Sequence, residues 1–436
     1  MSTASTLAER LGRFQNGLGG ATASTAVIGL LGAVSGILLA RTLGPAPRGE
    51  YAAIVLWPTA LAIVGELGFN FSISYHCGKG RSISALWSLT WVVSLGVGGA
   101  LALAGIVVVP ALVTLPNQAE RDLIWALATA PAALVTGNLA YLLLGTGRVA
   151  LYNWVRVYAA ASYSLLIAAL ALAARGNLET YTFAFVFSQV SSALLAAGVV
   201  ARSLKPAWRW DQALAASVVR YGLKAYASSI AAQLNLRLSQ LLMTVFLAAE
   251  EVGIYAVAVA AAGALAPLFG ALAIVTLPRV TMAPERKAAG DQAIRSVQLA
   301  MILGLPVAAV GIAVAPWVIS IAFGASFVPA VGLTRCLLLA SLFQGLNVIL
   351  GHSLRGLGQP GKTAVAEGIG LALTVLLLSL TLPRYGSWAA AITTTVVGCT
   401  VALLQGFFVE RTAGFPRSEW WRSKIAGSPF GFLARS

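Results

Sequence analysis

The chain has 436 residues, of which 10% are charged and 58% hydrophobic, and its mean hydropathy is +0.85. A soluble domain carries roughly a quarter of its residues charged, so this composition excludes an ordinary water-soluble fold and describes a chain whose solvent is lipid. The net charge of +15 does not indicate nucleic acid, because the basic residues are dispersed among short loops that would face anionic headgroups.

Apolar runs of about 20 residues predict an all-α polytopic membrane protein with about twelve transmembrane helices. In chain order they lie near 18–40, 51–68, 83–109, 122–144, 152–174, 182–201, 224–247, 253–276, 294–321, 331–353, 363–382 and 387–409. Arg10 and Arg13 precede the first run. That run is too long for a signal-peptide core and no small-residue cleavage site follows it, so the first span is expected to stay. The runs at 83–109 and 294–321 are long enough to tilt or to overrun the bilayer.

Topology follows from Lys and Arg. With the N-terminus in the cytoplasm, 21 of the 29 basic residues fall on the inner side. Five (Arg41, Arg48, Arg121, Arg175 and Arg384) fall in outer loops, and three (Arg156, Arg237 and Arg335) fall within spans. This bias predicts a multi-pass protein of the inner (cytoplasmic) membrane with both termini cytoplasmic.

The two halves of the chain echo each other. Gly49-Glu50-Tyr51-Ala52 matches Gly253-Ile254-Tyr255-Ala256 at an offset of 204. Gly145-Thr146-Gly147-Arg148 matches Gly356-Leu357-Gly358-Gln359, and Arg175-Gly176 matches Arg384-Tyr385-Gly386, at offsets of 211 and 209. Three matches in order at nearly one offset predict a six-plus-six duplication. Because six is even, the repeats would be parallel, in two six-helix halves around a central cavity. The expected organisation is an N-terminal half over 1–201, a cytoplasmic interfacial linker over 202–223, a C-terminal half over 224–409 and a cytoplasmic basic tail over 410–436. In the linker, Trp208, Trp210, Leu214 and Val218 fall on one apolar side, with Arg209, Asp211 and Arg220 toward water. The tail has a similar composition in Glu419-Trp420-Trp421-Arg422. Both read as interfacial anchors.

Charge inside a span is costly and marks function. Glu66, Arg156, Arg335 and Glu367 lie close enough to span ends to reach the interface. Arg237 sits near the middle of the seventh span. At ~100° per residue, Tyr226, Ser229, Gln233, Arg237, Gln240 and Thr244 share an arc of about 80°, a face that cannot look onto lipid and is expected to line a water-filled cavity. A structural hydrogen-bond network is the competing reading. The first and seventh spans contain no Asp or Glu, so a central guanidinium without a carboxylate suits an anionic ligand, above all a phosphate or pyrophosphate. If an ion drives transport, Glu66 and Glu367 are the coupling candidates. Ser341, Gln344, Asn347 and Gly351 form a weaker stripe in the tenth span, as suited to helix–helix contact as to a ligand. Pro58, Pro131, Pro267, Pro306 and Pro316 interrupt spans and permit kinks.

No catalytic constellation is present in the sequence. The three cysteines and two histidines have neither metal-ligand spacing nor a disulfide framework. There is no Walker loop, and the Gly-rich turns join helices. No ATP, metal or other cofactor is expected, and the chain does not read as an enzyme.

Several stretches resemble the polysaccharide flippases (Wzx type) of the multidrug/oligosaccharidyl-lipid/polysaccharide (MOP) exporter superfamily. They are Leu39-Ala40-Arg41-Thr42-Leu43-Gly44-Pro45 with Gly49-Glu50-Tyr51, Asn235-Leu236-Arg237-Leu238-Ser239-Gln240-Leu241, Gly253-Ile254-Tyr255-Ala256, Leu277-Pro278-Arg279, Arg355-Gly356-Leu357-Gly358-Gln359-Pro360-Gly361-Lys362 and Leu382-Pro383-Arg384-Tyr385-Gly386-Ser387-Trp388. They extend from the first span to the twelfth. The resemblance implies alternating-access transport of a polyprenyl-pyrophosphate-linked sugar repeat unit to the outer leaflet, with a glycan polymerase or glycosyltransferases as partners. The family often carries Asp two residues after the seventh-span Arg, where this chain has Ser239. Three alternatives remain open: a cation-coupled multidrug exporter of the same fold, a lipid II flippase, and a non-transporting membrane scaffold for a glycan polymerase.

Overall fold

The computed structural model describes the backbone of residues 2–226 and 230–414. Fifteen α-helices follow one another, and no strand occurs among the described residues. They are α1 (Ser2–Leu43), α2 (Pro45–Gly65), α3 (Phe69–Gly78), α4 (Ile83–Leu112), α5 (Asn117–Leu127), α6 (Ala130–Gly145), α7 (Val149–Leu172) and α8 (Leu178–Leu204). After these come α9 (Gln212–Tyr226), α10 (Ile230–Phe246), α11 (Ala249–Ala262), α12 (Ala266–Thr281), α13 (Arg286–Val318), α14 (Ala330–Gly356) and α15 (Pro360–Ala413).

These helices leave room for the twelve predicted crossings. Nine segments among the described residues are long and apolar enough to traverse a bilayer, and the pair α2 and α3, bent by 44°, makes a tenth. The 54-residue α15 holds both of the last two predicted spans, because Gly386 at φ 56° and ψ −140° turns the chain between them. At the place of the seventh predicted span lies α10, whose 17 residues rise ~26 Å. The expected all-α polytopic architecture is thus the one observed.

Local chemistry explains several boundaries. Asn177 starts α8 with a reciprocal cap: its side chain accepts from the Thr180 amide at 2.8 Å, and the Thr180 hydroxyl accepts from the Asn177 amide at 3.0 Å. α2 ends where Leu67 and Gly68 take positive φ values of 45° and 67°. Gly68 is required there for space as well, since a Cβ would lie 2.3 Å from the Gly222 carbonyl oxygen of α9. The second crossing therefore runs beyond its predicted end at residue 68 and continues as α3, leaving Glu66 at the bend rather than at the helix terminus.

The chain divides into two compact units, Met1–Ala256 and Val257–Ser436. In the first, Leu86, Leu139, Leu142, Val155 and Val200 of α4, α6, α7 and α8 form one apolar core, joined by Leu214 and Val218 of α9. Trp208 and Trp210, just before α9, are exposed, as are Arg209, Asp211 and Arg220. Polar pairs tie neighbouring helices together: Ser35 with Ser164 at 2.8 Å, and Asn138 donating to Ser94 at 3.0 Å. In the second unit, Phe269 of α12 fills a slot opened by Gly304 and Gly345, where added Cβ atoms would approach its ring to 2.7 and 2.2 Å. Residues 415–436, which hold most of the predicted basic tail, lie outside the described residues.

Candidate functional site

The polar stripe predicted for the seventh span lies on α9 and α10 of the first unit, where α10 packs against α2. Its two ends are engaged by protein. The Tyr226 hydroxyl donates to the Ile63 carbonyl near the end of α2. Thr244, 5% exposed, donates to the Leu241 carbonyl at 2.7 Å and accepts from Trp57 Nε1 at 3.1 Å. Gln233, Arg237 and Gln240 lie between them and are half-buried. Ser229 falls outside the described residues.

Arg237, half-buried, has no ion pair and no hydrogen bond among the described residues. Ser239, two residues on, is buried. The arrangement leaves a guanidinium with two amide side chains within one turn of it on the same face. These groups present donors to an anion in a setting of reduced dielectric.

The two coupling candidates sit in different units. Glu66, half-buried at the bend between α2 and α3, accepts from Asn70 Nδ2 at 3.1 Å and lies within electrostatic reach of Tyr141 and Tyr226. Glu367 of α15 is 8% exposed and accepts from Gln405 Nε2 at 3.1 Å, with Arg355 within electrostatic reach. The tenth-span stripe serves helix contacts at two points: Ser341 donates to the Ala262 carbonyl at 3.1 Å and Asn347 to the Gly398 carbonyl at 3.2 Å.

Sequence reasoning passed over Arg48. The charge distribution assigns it to an outer loop, but α2 begins at Pro45 and draws it into the helix. Its Nε is buried without a hydrogen-bond partner, and its guanidinium carbon lies 6.0 Å from the centre of the Tyr51 ring. The Tyr51 and Tyr163 hydroxyls share a hydrogen bond of 2.8 Å beside it. The available signal was Pro45 and Pro47, since proline favours the first helical turn. No group of three or more metal-ligating side chains occurs among the described residues.

A family model described as "Polysaccharide biosynthesis protein" matches residues 38–332. No curated protein matches the chain by sequence. Among solved structures the chain is similar to an inward-facing multidrug resistance MATE family transporter of the MOP superfamily. The TM-score is 0.74 at 14% identity, covering 91% of this chain and 96% of that one. It is also similar to the lipid II flippase MurJ in an inward closed conformation, with a TM-score of 0.70, 14% identity and 94% of each chain covered. A MOP superfamily transporter from Pyrococcus furiosus, described as having a binding pocket of reverse polarity, matches at a TM-score of 0.58 and 14% identity over 92% of this chain and 94% of that one. At such identities the likeness is one of fold.

Proposed function

The chain belongs to the polysaccharide biosynthesis family, and from that premise we propose that it is a flippase for a polyprenyl-pyrophosphate-linked oligosaccharide repeat unit. It would move this substrate across the cytoplasmic membrane by alternating access, for assembly of a cell-surface polysaccharide. Both termini are then cytoplasmic, the glycan polymerase or glycosyltransferases are its natural partners, and no chemical step is catalysed.

The observation that carries the reading is Arg237. A guanidinium placed mid-span costs about 2.5–3.5 kcal/mol on insertion scales. No protein carboxylate offsets that cost among the described residues. A pyrophosphate does so, accepting bidentate hydrogen bonds from Arg while Gln233 and Gln240 supply further donors. The lipid tail stays in the bilayer. The likeness to MATE transporters favours drug efflux as a second reading, but the first and seventh spans have no carboxylate to hold a cationic drug.

Reconstitution into liposomes with a panel of polyprenyl-pyrophosphate-linked sugars tests the proposal. Translocation of at least one such lipid is expected. Export of a cationic dye with no movement of any lipid-linked sugar would overturn it in favour of the efflux reading.

A further inference from the structure

Five aromatic rings from four helices of the first unit form a row of two contacting sets, one turn apart on α3. Tyr152 of α7 meets Tyr141 of α6 edge to face, with ring centres 5.8 Å apart at 72°. Tyr141 meets Phe71 of α3 in the same way, at 5.8 Å and 70°. One turn along α3, Tyr75 stacks on Tyr221 of α9 at 4.2 Å and 9°. Cations bracket the row: the Arg156 guanidinium lies 5.3 Å from the Tyr152 ring and Lys79 Nζ 5.7 Å from the Tyr75 ring. Glu66, which accepts from Asn70 Nδ2, lies within electrostatic reach of Tyr141, and Asn70 Oδ1 accepts from the Phe71 amide. Phe71, Tyr75 and Tyr221 are 41%, 42% and 38% exposed.

An aromatic belt at the lipid interface is the simplest alternative, because Trp and Tyr collect there. On α7 that position is taken by Trp154, which is exposed. At ~100° per residue it projects about 200° around the helix from both Tyr152 and Arg156. Those two side chains, half-buried, therefore look away from the belt. These rings touch in pairs across helices and lie near a carboxylate and two cations. An acyl chain gains nothing from such groups, which lose water without gaining a partner.

The mixture suits a carbohydrate. The C–H face of a pyranose packs flat on an aromatic ring, and its hydroxyls need donors and acceptors close to the ring edge, which the Tyr hydroxyls and half-buried Glu66 supply. Position agrees as well. The row lies where α3 and α6 end and α7 begins, the end that carries Lys79, Arg81 and Arg148 and that the charge bias assigns to the cytoplasm, where the repeat unit is made.

We propose that this row is the docking surface for the oligosaccharide part of the substrate, separate from the pyrophosphate contact at Arg237. This rests on the flippase reading above. The test measures affinity of the purified full chain in nanodiscs for two probes: lipid-linked oligosaccharide extracted from the native host, and polyprenyl pyrophosphate without sugar. The sugar-bearing lipid is expected to bind the wild type about tenfold tighter or more, a difference of ~1.4 kcal/mol. The pair Phe71→Leu/Tyr221→Leu keeps apolar bulk but loses the flat faces. It should abolish that increment while leaving the sugar-free affinity intact. Phe71→Tyr and Tyr221→Phe should retain it. If the paired variant unfolds, Phe71→Leu alone carries the test, because Phe71 is exposed. Equal affinities in the wild type, or an increment that survives loss of the rings, would overturn the docking surface. Failure of the flippase reading looks different: sugar-free polyprenyl pyrophosphate would fail to bind, or would bind regardless of Arg237→Ala.

Discussion

Gly49 of α2 and Gly253 of α11 meet backbone to backbone. A Cβ on Gly49 would stand 1.7 Å from the Ala249 carbonyl oxygen, and one on Gly253 would stand 1.9 Å from the Pro45 carbonyl oxygen. The contact is reciprocal under the repeat: the offset of 204 that relates Gly49 to Gly253 also relates Pro45 to Ala249. Each stretch places two small or compact residues four apart, the spacing that lets helix backbones approach closely. Two glycines that look like a weak repeat signal in the sequence thus form a quasi-symmetric joint at the starts of their helices.

Because the obstacle on each side is backbone, the joint has no room to relax. Gly49→Ala should destabilise the protein by about 1–3 kcal/mol, the usual range for overpacking, and Gly49→Val or Gly253→Val should prevent this closed arrangement. Thermal unfolding of the purified variants reads the effect. A Gly49→Ala protein that melts with the wild type would show that the close approach is not maintained.

Arg237→Ala should cripple export while the protein remains inserted and abundant. Arg237→Lys should keep part of the activity, since an ammonium attracts phosphate without the bidentate grip. If Arg237 is structural instead, Ala lowers abundance and melting temperature with transport per folded molecule unchanged. Export normalised to folded protein separates the outcomes.

A reporter fused after Ser436 should be cytoplasmic and one inserted near Asn177 external, as the distribution of basic residues requires. Protease or thiol-labelling access from each side of sealed vesicles checks both positions. A C-terminal tag reached only from outside would remove the topology.

Glu66→Gln and Glu367→Gln test ion coupling. Both carboxylates accept from a side-chain amide, Asn70 and Gln405 respectively, and Gln preserves the shape while removing the titration. If either carries the coupled proton, its variant should lose the dependence of transport on a pH gradient. A double variant with wild-type dependence on pH and potential would exclude them both.

Phe269→Ala should cost about 3–5 kcal/mol, because the slot left by Gly304 and Gly345 has no side chain of its own to fill the void. Differential scanning fluorimetry in detergent measures the loss. A variant within about 0.5 kcal/mol of the wild type would mean that the slot collapses.

The sequence by itself determined the class, the number of crossings and the family likeness, because each is a local or additive property. Runs of apolar residues count helices, and a polar face on α10 shows in i, i+3 and i+4 steps without knowledge of any neighbour. Arg237, Gln233 and Gln240 were therefore legible as one face. What surrounds them was not. Tertiary structure alone decided that Tyr226 and Thr244 at the two ends of that face are held by Ile63 and Trp57 of α2. It also bent the second crossing at Glu66, buried the Arg48 Nε, and brought Tyr152, Tyr141 and Phe71, and Tyr75 and Tyr221, into contact. The reason is physical. In a soluble helix the apolar face announces the inward side, but in a bilayer both lipid and protein interior are apolar. The choice of neighbours then falls to shape, where a glycine admits a ring or a carbonyl, and such complementarity joins residues far apart in the chain.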